Sequence, residues 1–244
     1  MNTTWKTLTA DAFPKTTKEM HITYENENKT AYRSNDVYVI AIDREHVHDA
    51  CLYIWEPAIC IDDGKYIISV FYAKHTVWTD PETGEIVDEE KRFYSTDNMC
   101  IVIDHPDMKY CKYQKLKIMN PEWEQKPLTA DTFPKNAEEV YSTYENDKGD
   151  IVYRSNDACV IAIERDHMYK VRRSNWKPTA LDYDSHSQYI FRVFYAEYTV
   201  HTDPDTGKSK DIEKTFYSTD GMSISIDDEN IKYCKYHRLE TENL

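Results

Sequence analysis

The residues that could carry chemistry in this chain are those that occur at corresponding places in its two similar halves. Among nine histidines, only His46 and His167 correspond in this way. A recurring histidine could act as a general base, although such a residue is more often a hydrogen-bonded structural one. His48 is replaced by Tyr169 in the second half. Because a zinc-type site needs three or four ligands, we expect no metal site here.

Two arginines recur in the pentapeptide Tyr-Arg-Ser-Asn-Asp, which occurs at 32–36 and at 153–157. A guanidinium can bind a carboxylate or phosphate through two parallel hydrogen bonds. The pentapeptide is also typical of a polar turn before a strand, since Asn and Asp side chains bond to local backbone. The sequence favours the turn. A ligand-binding alternative would use the recurring arginines and histidines, which are Arg33, Arg154, His46 and His167.

No recurring cluster has the composition of a catalytic centre. Ser95-Thr96-Asp97 and Ser218-Thr219-Asp220 combine hydroxyls with a carboxylate, but no histidine recurs beside them as a base. The chain has only five glycines, and none forms a phosphate-binding loop, a dinucleotide motif or a nucleophile elbow. We therefore expect no catalytic residues, no cofactor and no enzymatic activity.

Carboxylates crowd one predicted turn of the first half, at residues 80–90. No cation interrupts the six of them, which are Asp80, Glu82, Glu85, Asp88, Glu89 and Glu90. The second half has four carboxylates and two lysines over 203–213, which are Asp203, Asp205, Asp211, Glu213, Lys208 and Lys210. One interpretation is a solvated hairpin tip. The other is a partner-binding surface centred on the first-half carboxylates, with Asp203 and Asp205 as counterparts.

The net charge of the chain is −14. This disfavours direct binding of nucleic acid, because proteins neutralise phosphates with Lys and Arg. It favours solubility, or a protein partner with a basic surface. No apolar run approaches the ~18 residues of a membrane span, and the N-terminus lacks a hydrophobic signal region. The sequence thus predicts a cytoplasmic protein without a membrane partner.

The six cysteines are expected to be reduced and structural. Only Cys111 and Cys234 correspond between the halves, and there is no Cys-x-x-Cys motif. A disulfide framework or a zinc site would have been duplicated with the rest of the chain. Cys159, in contrast, stands where the first half has Tyr38.

These residues are positioned by an internal duplication. Val39-Ile-Ala-Ile42 returns as Val160-Ile-Ala-Ile163, and such matches continue almost from end to end with a period of roughly 120 residues. Solenoid repeats are only ~20–50 residues long, so each copy should be a domain with its own core. We predict a first domain over 1–118 and a second over 119–244.

Each copy is predicted to be an α+β domain, with a mainly antiparallel sheet of about five strands and a short N-terminal helix. A capping box at Thr16-Thr-Lys-Glu19 predicts the helix. Met20 and Tyr24 would then lie four residues apart on one helical face, as would Val140 and Tyr144 in the second copy.

Alternating apolar residues predict the strands. The longest predicted strands are Tyr66–Trp78 and Tyr189–His201. In each, alternate residues form one apolar face, which contains Phe71 or Phe194, and the remaining residues form an amphipathic face. That pattern indicates a half-buried strand. Shorter strands are predicted at Val37–Ile42 and Ala158–Ile163. Turns that contain proline and glycine are predicted at Asp80–Gly84 and Asp203–Gly207.

The two copies differ most at 46–62 and 167–185. The first segment is apolar around Leu52–Trp55, whereas the second is basic around Lys170–Arg173. Such divergence indicates either a tolerant surface loop or a place where the copies acquired different tasks.

Three functions are compatible with these observations. The leading hypothesis is a non-enzymatic, acidic tandem-repeat binding protein. It would occupy a basic, nucleic-acid-binding surface of a partner, as phage or mobile-element counter-defence inhibitors do, with pseudo-twofold or bivalent engagement. The first alternative is a small-molecule or peptide-binding, or hydrolytic, protein with its site between the two repeats. The second alternative is a structural subunit of a larger assembly, which would expose large apolar patches.

Overall fold

The computed structural model describes residues 4–51, 65–96, 99–116, 126–134, 140–146, 149–171, 188–203, 205–218, 220–239 and 244. Its regular structure is mainly β-strand, in two antiparallel sheets. The α-helices of the described residues are one-turn elements, α1 (Val47–Ala50) and α2 (Met168–Val171), and each follows a 3-10 turn. None of the described helices is long and apolar enough to cross a membrane.

The first sheet is organised around its longest strand, β5. Its strands are β1 (Lys6–Thr7), β2 (Met20–Asn26), β3 (Lys29–Ser34), β4 (Val37–Asp43), β5 (Tyr66–Thr79), β6 (Ile86–Ser95), β7 (Cys100–Val102) and β8 (Cys111–Leu116). One edge of β5 pairs with β6, which continues to β7. The other edge pairs first with β4 and then with β3. Beyond these lie β8 with β1, and β2.

The second sheet repeats this order. Its strands are β9 (Lys126–Pro127), β10 (Val140–Glu145), β11 (Ile151–Glu164), β12 (Tyr189–Thr202), β13 (Ser209–Ser218), β14 (Ser223–Ser225) and β15 (Cys234–Arg238). The single strand β11 takes the places of β3 and β4, with a register shift between Arg154 and Ala158. The strand pairings of the first sheet lie within 6–116 and those of the second within 126–238. The predicted boundary near residue 119 lies outside the described residues, so the two domains stay a prediction.

β4, β5 and β12 were predicted almost to the residue, whereas β11 begins seven residues before the predicted Ala158–Ile163. β5 runs one residue further than Tyr66–Trp78, and β4 one residue further than Val37–Ile42. Alternation and β-branched content were sufficient there, because both strands lie at the centre of a sheet. The number of strands was too low, since eight and seven are observed in the two sheets.

The predicted N-terminal helix is wrong beyond its first turn. The carboxylate of Glu19 does accept the backbone N–H of Lys15, but the turn is a 3-10 turn of three residues, Thr17–Glu19. Met20 and Tyr24 lie in β2, and Val140 and Tyr144 lie in β10. A spacing of four residues fits the period of a strand as well as that of a helix, and β3 supplies a hydrogen-bonding partner for β2.

The expectation that the long strands are half-buried is also wrong for their first halves. One face of β5, with Phe71, packs in an apolar cluster of the first half. The opposite face, with Val70, packs in a cluster that also contains Val160 and Val193 of the second sheet. We call this shared layer the inter-sheet core. The side chains on the amphipathic face of β5 are therefore buried in the apolar first half of the strand, because the other sheet covers them.

Candidate functional site: the acidic hairpin of the first half

The acidic segment forms the hairpin between β5 and β6, and its tip is held by Asp80. The carboxylate of Asp80 accepts the backbone N–H groups of Glu82 (2.8 Å) and Thr83 (3.0 Å). The bonds from Thr83 and Glu82 hold the pKa of Asp80 below its ordinary value. Gly84 has a φ of 73°, a conformation that favours glycine. Asp80 is therefore a turn residue, as Asp203 is in the second half.

Two of the six carboxylates are engaged by cations of their own sheet. Glu89 lies 3.0 Å from Nε2 of His75 and 3.1 Å from Nζ of Lys91. The hydrogen bonds from Lys91 and His75 lower the pKa of Glu89. Glu90 forms an ion pair with Arg92. The Lys91 and Arg92 contacts join residues two positions apart on one side of β6, whereas the His75 contact crosses from β5 and depends on strand register.

The other three carboxylates are solvent-exposed. Glu82, Glu85 and Asp88 are exposed, and no ion pair reaches them from the residues that the structure describes. Ile86 and Val87 lie beside them with 64% and 63% of their surface exposed. The hairpin thus presents unneutralised carboxylates next to an exposed apolar pair.

The outer edge of β6 is uncovered along this surface. Within the described part of the chain, β7 pairs only with Arg92–Tyr94 of β6. Residues 86–90 therefore form an edge segment. Charged side chains on such an edge discourage pairing with another copy of the same chain.

The second-half hairpin has the same backbone with less charge. Its turn is held by Asp203 and by Gly207, whose φ is 65°. Over corresponding segments of eleven residues, the first hairpin carries six carboxylates and no cation, whereas the second carries four carboxylates and two lysines. The two hairpins are therefore matched surfaces of different charge.

The recurring arginines are buried parts of the sheets. Arg33 and Arg154 are each 4% exposed. Arg154 forms a 2.9 Å ion pair with Glu197, its cross-strand neighbour. The first half has Lys74 at that place, and the guanidinium of Arg33 lies 4.1 Å from the ring centroid of Tyr72.

The pentapeptide contains a bend between β3 and β4 in the first half, whereas in the second half it lies within β11, at the register shift. In the first half, the hydroxyl of Ser34 donates to the carbonyl of Asp36 and accepts the N–H of Ala73. Ser155 makes the corresponding bonds in the second half. The Asp36 carboxylate lies 3.0 Å from Nζ of Lys115. The predicted turn is therefore observed in the first half and is wrong for 153–157, where β11 continues through the pentapeptide.

The recurring histidines stack on tyrosines. His46 lies on Tyr110 and His167 lies on Tyr233, each with 3.5 Å between ring centroids. Arg33 of β3 lies opposite residue 74 of β5. Asp43, the last residue of β4 and three positions before His46, lies opposite residue 66 of the same strand. Eight strand residues span about 26 Å. The structure therefore does not bring the histidine and arginine of one half together.

Ser95 and Ser218 are the last residues of β6 and β13, and the second serine adjoins a feature that the sequence reasoning missed. The hydroxyl of Ser218 accepts the N–H of Met222 at 2.8 Å and bonds to Asp220. The carboxylate of Asp220 lies 2.6 Å from Nε of Arg192, which is 2% exposed. An arginine inside the apolar run Phe191–Phe194 was the available signal. Asp97 and Thr219 lie outside the described residues, as does Leu52–Trp55.

A cavity opens in the second half between residues 131–134, β11 and β15, and has a volume of about 270 Å³. Cys159 lines it, together with Phe216 and Tyr236. Within the described residues, no group of three or more His, Cys, Asp or Glu side chains could hold a metal ion. No family model matches the chain, and no curated protein or solved structure shows significant similarity to it.

Proposed function

We propose that the protein is a non-enzymatic binding protein that inserts its first-half hairpin into a basic, nucleic-acid-binding surface of a partner protein. The observation that carries this proposal is the exposed set of Glu82, Glu85 and Asp88, which lies beside the exposed side chains of Ile86 and Val87. This is the inhibitor type of binding protein that the acidic, duplicated sequence indicates.

The charge of the hairpin supports a nucleic-acid-binding surface as the target. Successive strand side chains alternate between the two faces, so Asp88 and Glu90 lie on one face of β6 and Glu89 lies on the other. A nucleic-acid-binding surface offers Lys and Arg side chains that neutralise phosphates, and carboxylates can pair with the same cations. A basic partner would compete with His75 and Lys91 for Glu89, whereas the exposed carboxylates are already available.

The charged and the apolar side chains of the hairpin are expected to contribute differently to binding. Exposed charges mainly accelerate encounter and select the partner, and salt screens them. The apolar pair Ile86 and Val87 would supply buried area at the centre of the contact. We therefore expect the affinity for the partner to fall as the salt concentration rises, while the apolar contact retains part of the binding.

The first prediction concerns the exposed carboxylates. The variant Glu82→Gln, Glu85→Gln, Asp88→Asn should fold normally, because these side chains are exposed and make no ion pair within the described residues. It should lose a basic protein that the tagged wild type retains from a nuclease-treated bacterial lysate. Added duplex DNA should release that protein from the wild type, since the DNA and the acidic hairpin would compete for the same basic surface.

The matched control removes the same number of carboxylates from the second hairpin, with Asp205→Asn, Asp211→Asn and Glu213→Gln. This control should retain the partner. The proposal is overturned if no protein is retained by the wild type, or if duplex DNA does not release it. Equal loss in both variants would show that bulk charge, rather than the first hairpin, is responsible.

A further inference from the structure

The second-half cavity occupies a place that a tyrosine side chain fills in the first half. Cys159 of β11 lies opposite Phe194 and Arg238 in the sheet. Tyr38 of β4 lies opposite the corresponding residues, Phe71 and Lys115. The two positions therefore correspond in backbone register as well as in sequence.

The surroundings of the Tyr38 ring show what this place accepts. The Tyr38 side chain is 0% exposed, and its ring centroid lies 4.9 Å from that of Phe93 and 6.2 Å from that of Tyr113. The corresponding rings, Phe216 and Tyr236, line the cavity and lie 6.1 Å apart. In the second half these two rings are in contact with each other, and residue 159 places no aromatic ring against them as Tyr38 does in the first half.

The cysteine does not fill this space. Its side chain ends at the first atom beyond Cβ, and Sγ donates a hydrogen bond to the carbonyl of Phe194 at 3.3 Å. The thiol is thus directed at its neighbouring strand. Burial raises the pKa of Cys159, which disfavours the thiolate form.

The polar edge of the cavity also has a first-half counterpart. Nζ of Lys115 lies 5.5 Å from the ring centroid of Tyr38 and pairs with Asp36. In the second half, Arg238 takes the place of the lysine and pairs with Asp157, and both residues line the cavity. A cation and a carboxylate thus remain at the mouth, next to an aromatic interior.

We propose that the second-half cavity binds a small hydroxy-aromatic molecule, with its ring packed against Phe216 and Tyr236 and its hydroxyl facing the Arg238–Asp157 pair. The volume of about 270 Å³ is just below the roughly 300–1,000 Å³ of ordinary ligand pockets, which suits a molecule with one ring. Edge-to-face contacts favour an aromatic ring over an aliphatic one against such walls. This proposal is independent of the acidic hairpin.

The probe is p-cresol, which reproduces the tyrosine side chain, and the measurement is an NMR titration of the full chain. We expect saturable shifts of amides around Cys159 with one site per chain. Toluene, which lacks the hydroxyl, should bind more weakly, and cyclohexanol should not saturate the site.

Three variants test the correspondence with Tyr38. Cys159→Tyr should fill the cavity from within, abolish saturable p-cresol binding and raise the unfolding temperature. Cys159→Ala, the matched control, should keep binding. Tyr38→Cys should create a second cavity in the first half and change the stoichiometry to two sites.

The proposal is overturned if p-cresol produces no saturable shifts in the wild type. It is also overturned if Cys159→Tyr, folded as judged by its amide spectrum, still binds p-cresol as the wild type does. If Cys159→Tyr does not fold, the result from Tyr38→Cys decides, and a single site in that variant contradicts the proposed correspondence. Equal affinity for toluene would remove the hydroxyl from the proposed ligand.

Discussion

Ser69 of β5 has Arg192 as its counterpart in β12, and Arg192 is 2% exposed beside the carboxylate of Asp220. Lys74 and Glu197 form a second such pair of corresponding positions, and Tyr38 and Cys159 a third. Each substitution changes one side chain within an unchanged backbone register. At this scale the two halves are no longer equivalent, and the differences lie in the interior as well as in the hairpins.

The second prediction follows from the buried pair of Arg192 and Asp220. Asp220→Ala should lower the free energy of unfolding by about 3–5 kcal/mol, because it leaves a buried guanidinium without its carboxylate. Urea unfolding measures this loss. The double variant Arg192→Met, Asp220→Ala should recover much of it, since no buried charge is then left. A loss below about 1 kcal/mol in the single variant would contradict the account.

The third prediction concerns the corresponding thiols Cys111 and Cys234. Burial raises the pKa of each to about 12 from an ordinary value of 9.0. The unfolded chain therefore loses these protons at lower pH than the folded one. Their contribution to stability is complete below pH 9 and should decline as the pH rises towards 12.

Urea unfolding between pH 8 and pH 11 tests this dependence. Stability of the wild type should fall with rising pH across that window. The double variant Cys111→Ala, Cys234→Ala should show a shallower decline, by up to one proton for each thiol. An unchanged slope in the variant would mean that these thiols ionise alike in the folded and unfolded states.

At the scale of elements, strand alternation predicted β4, β5, β12 and the second half of β11, because branched and aromatic residues with clear boundaries admit little else. The hairpin turns were predictable too, since Asp80 and Gly84 supply the acceptor and the positive φ that the turn requires. β2 was not, because residues four apart share a side in both a helix and a strand. The ion pairs of Glu89 with Lys91 and of Glu90 with Arg92 join residues two apart in β6, whereas the contact of Glu89 with His75 depended on the β5–β6 register, which a sequence does not display.

The fourth prediction tests the faces of β5. Phe71→Ala should cost about 3–5 kcal/mol in the free energy of unfolding, because the side chain is fully buried in the first-half cluster. Val87→Ala, on the exposed hairpin, is the control and should change stability by less than about 0.5 kcal/mol. Chemical denaturation of both variants gives the comparison. Similar losses in the two would show that the strand faces are assigned wrongly.

At the scale of the whole molecule, the two sheets bury one face of each against the other. Val39, Val70 and Leu116 of the first sheet share the inter-sheet core with Val160 and Phe191 of the second. The sequence could not reveal this layer. Its residues on β5 and β12 lie on the amphipathic face of those strands. Their packing partners belong to the other copy, more than a hundred positions away in the sequence.

This layer also supports the two strands that carry the proposed binding surfaces. The acidic hairpin extends from the second half of β5, beyond the part of that strand that enters the inter-sheet core. The cavity lies on the opposite face of β11 from Val160. Both surfaces are thus attached to one shared framework, while neither lies within it.

The fifth prediction tests that framework most directly. Phe191 is 0% exposed and belongs to the inter-sheet core, so Phe191→Ala should weaken both sheets. Native-state hydrogen exchange of the full chain is the measurement. The account predicts a comparable loss of amide protection in β4 and β5 of the first sheet and in β11 and β12 of the second. Loss confined to the second sheet, with β4 and β5 protected as in the wild type, would contradict a shared core.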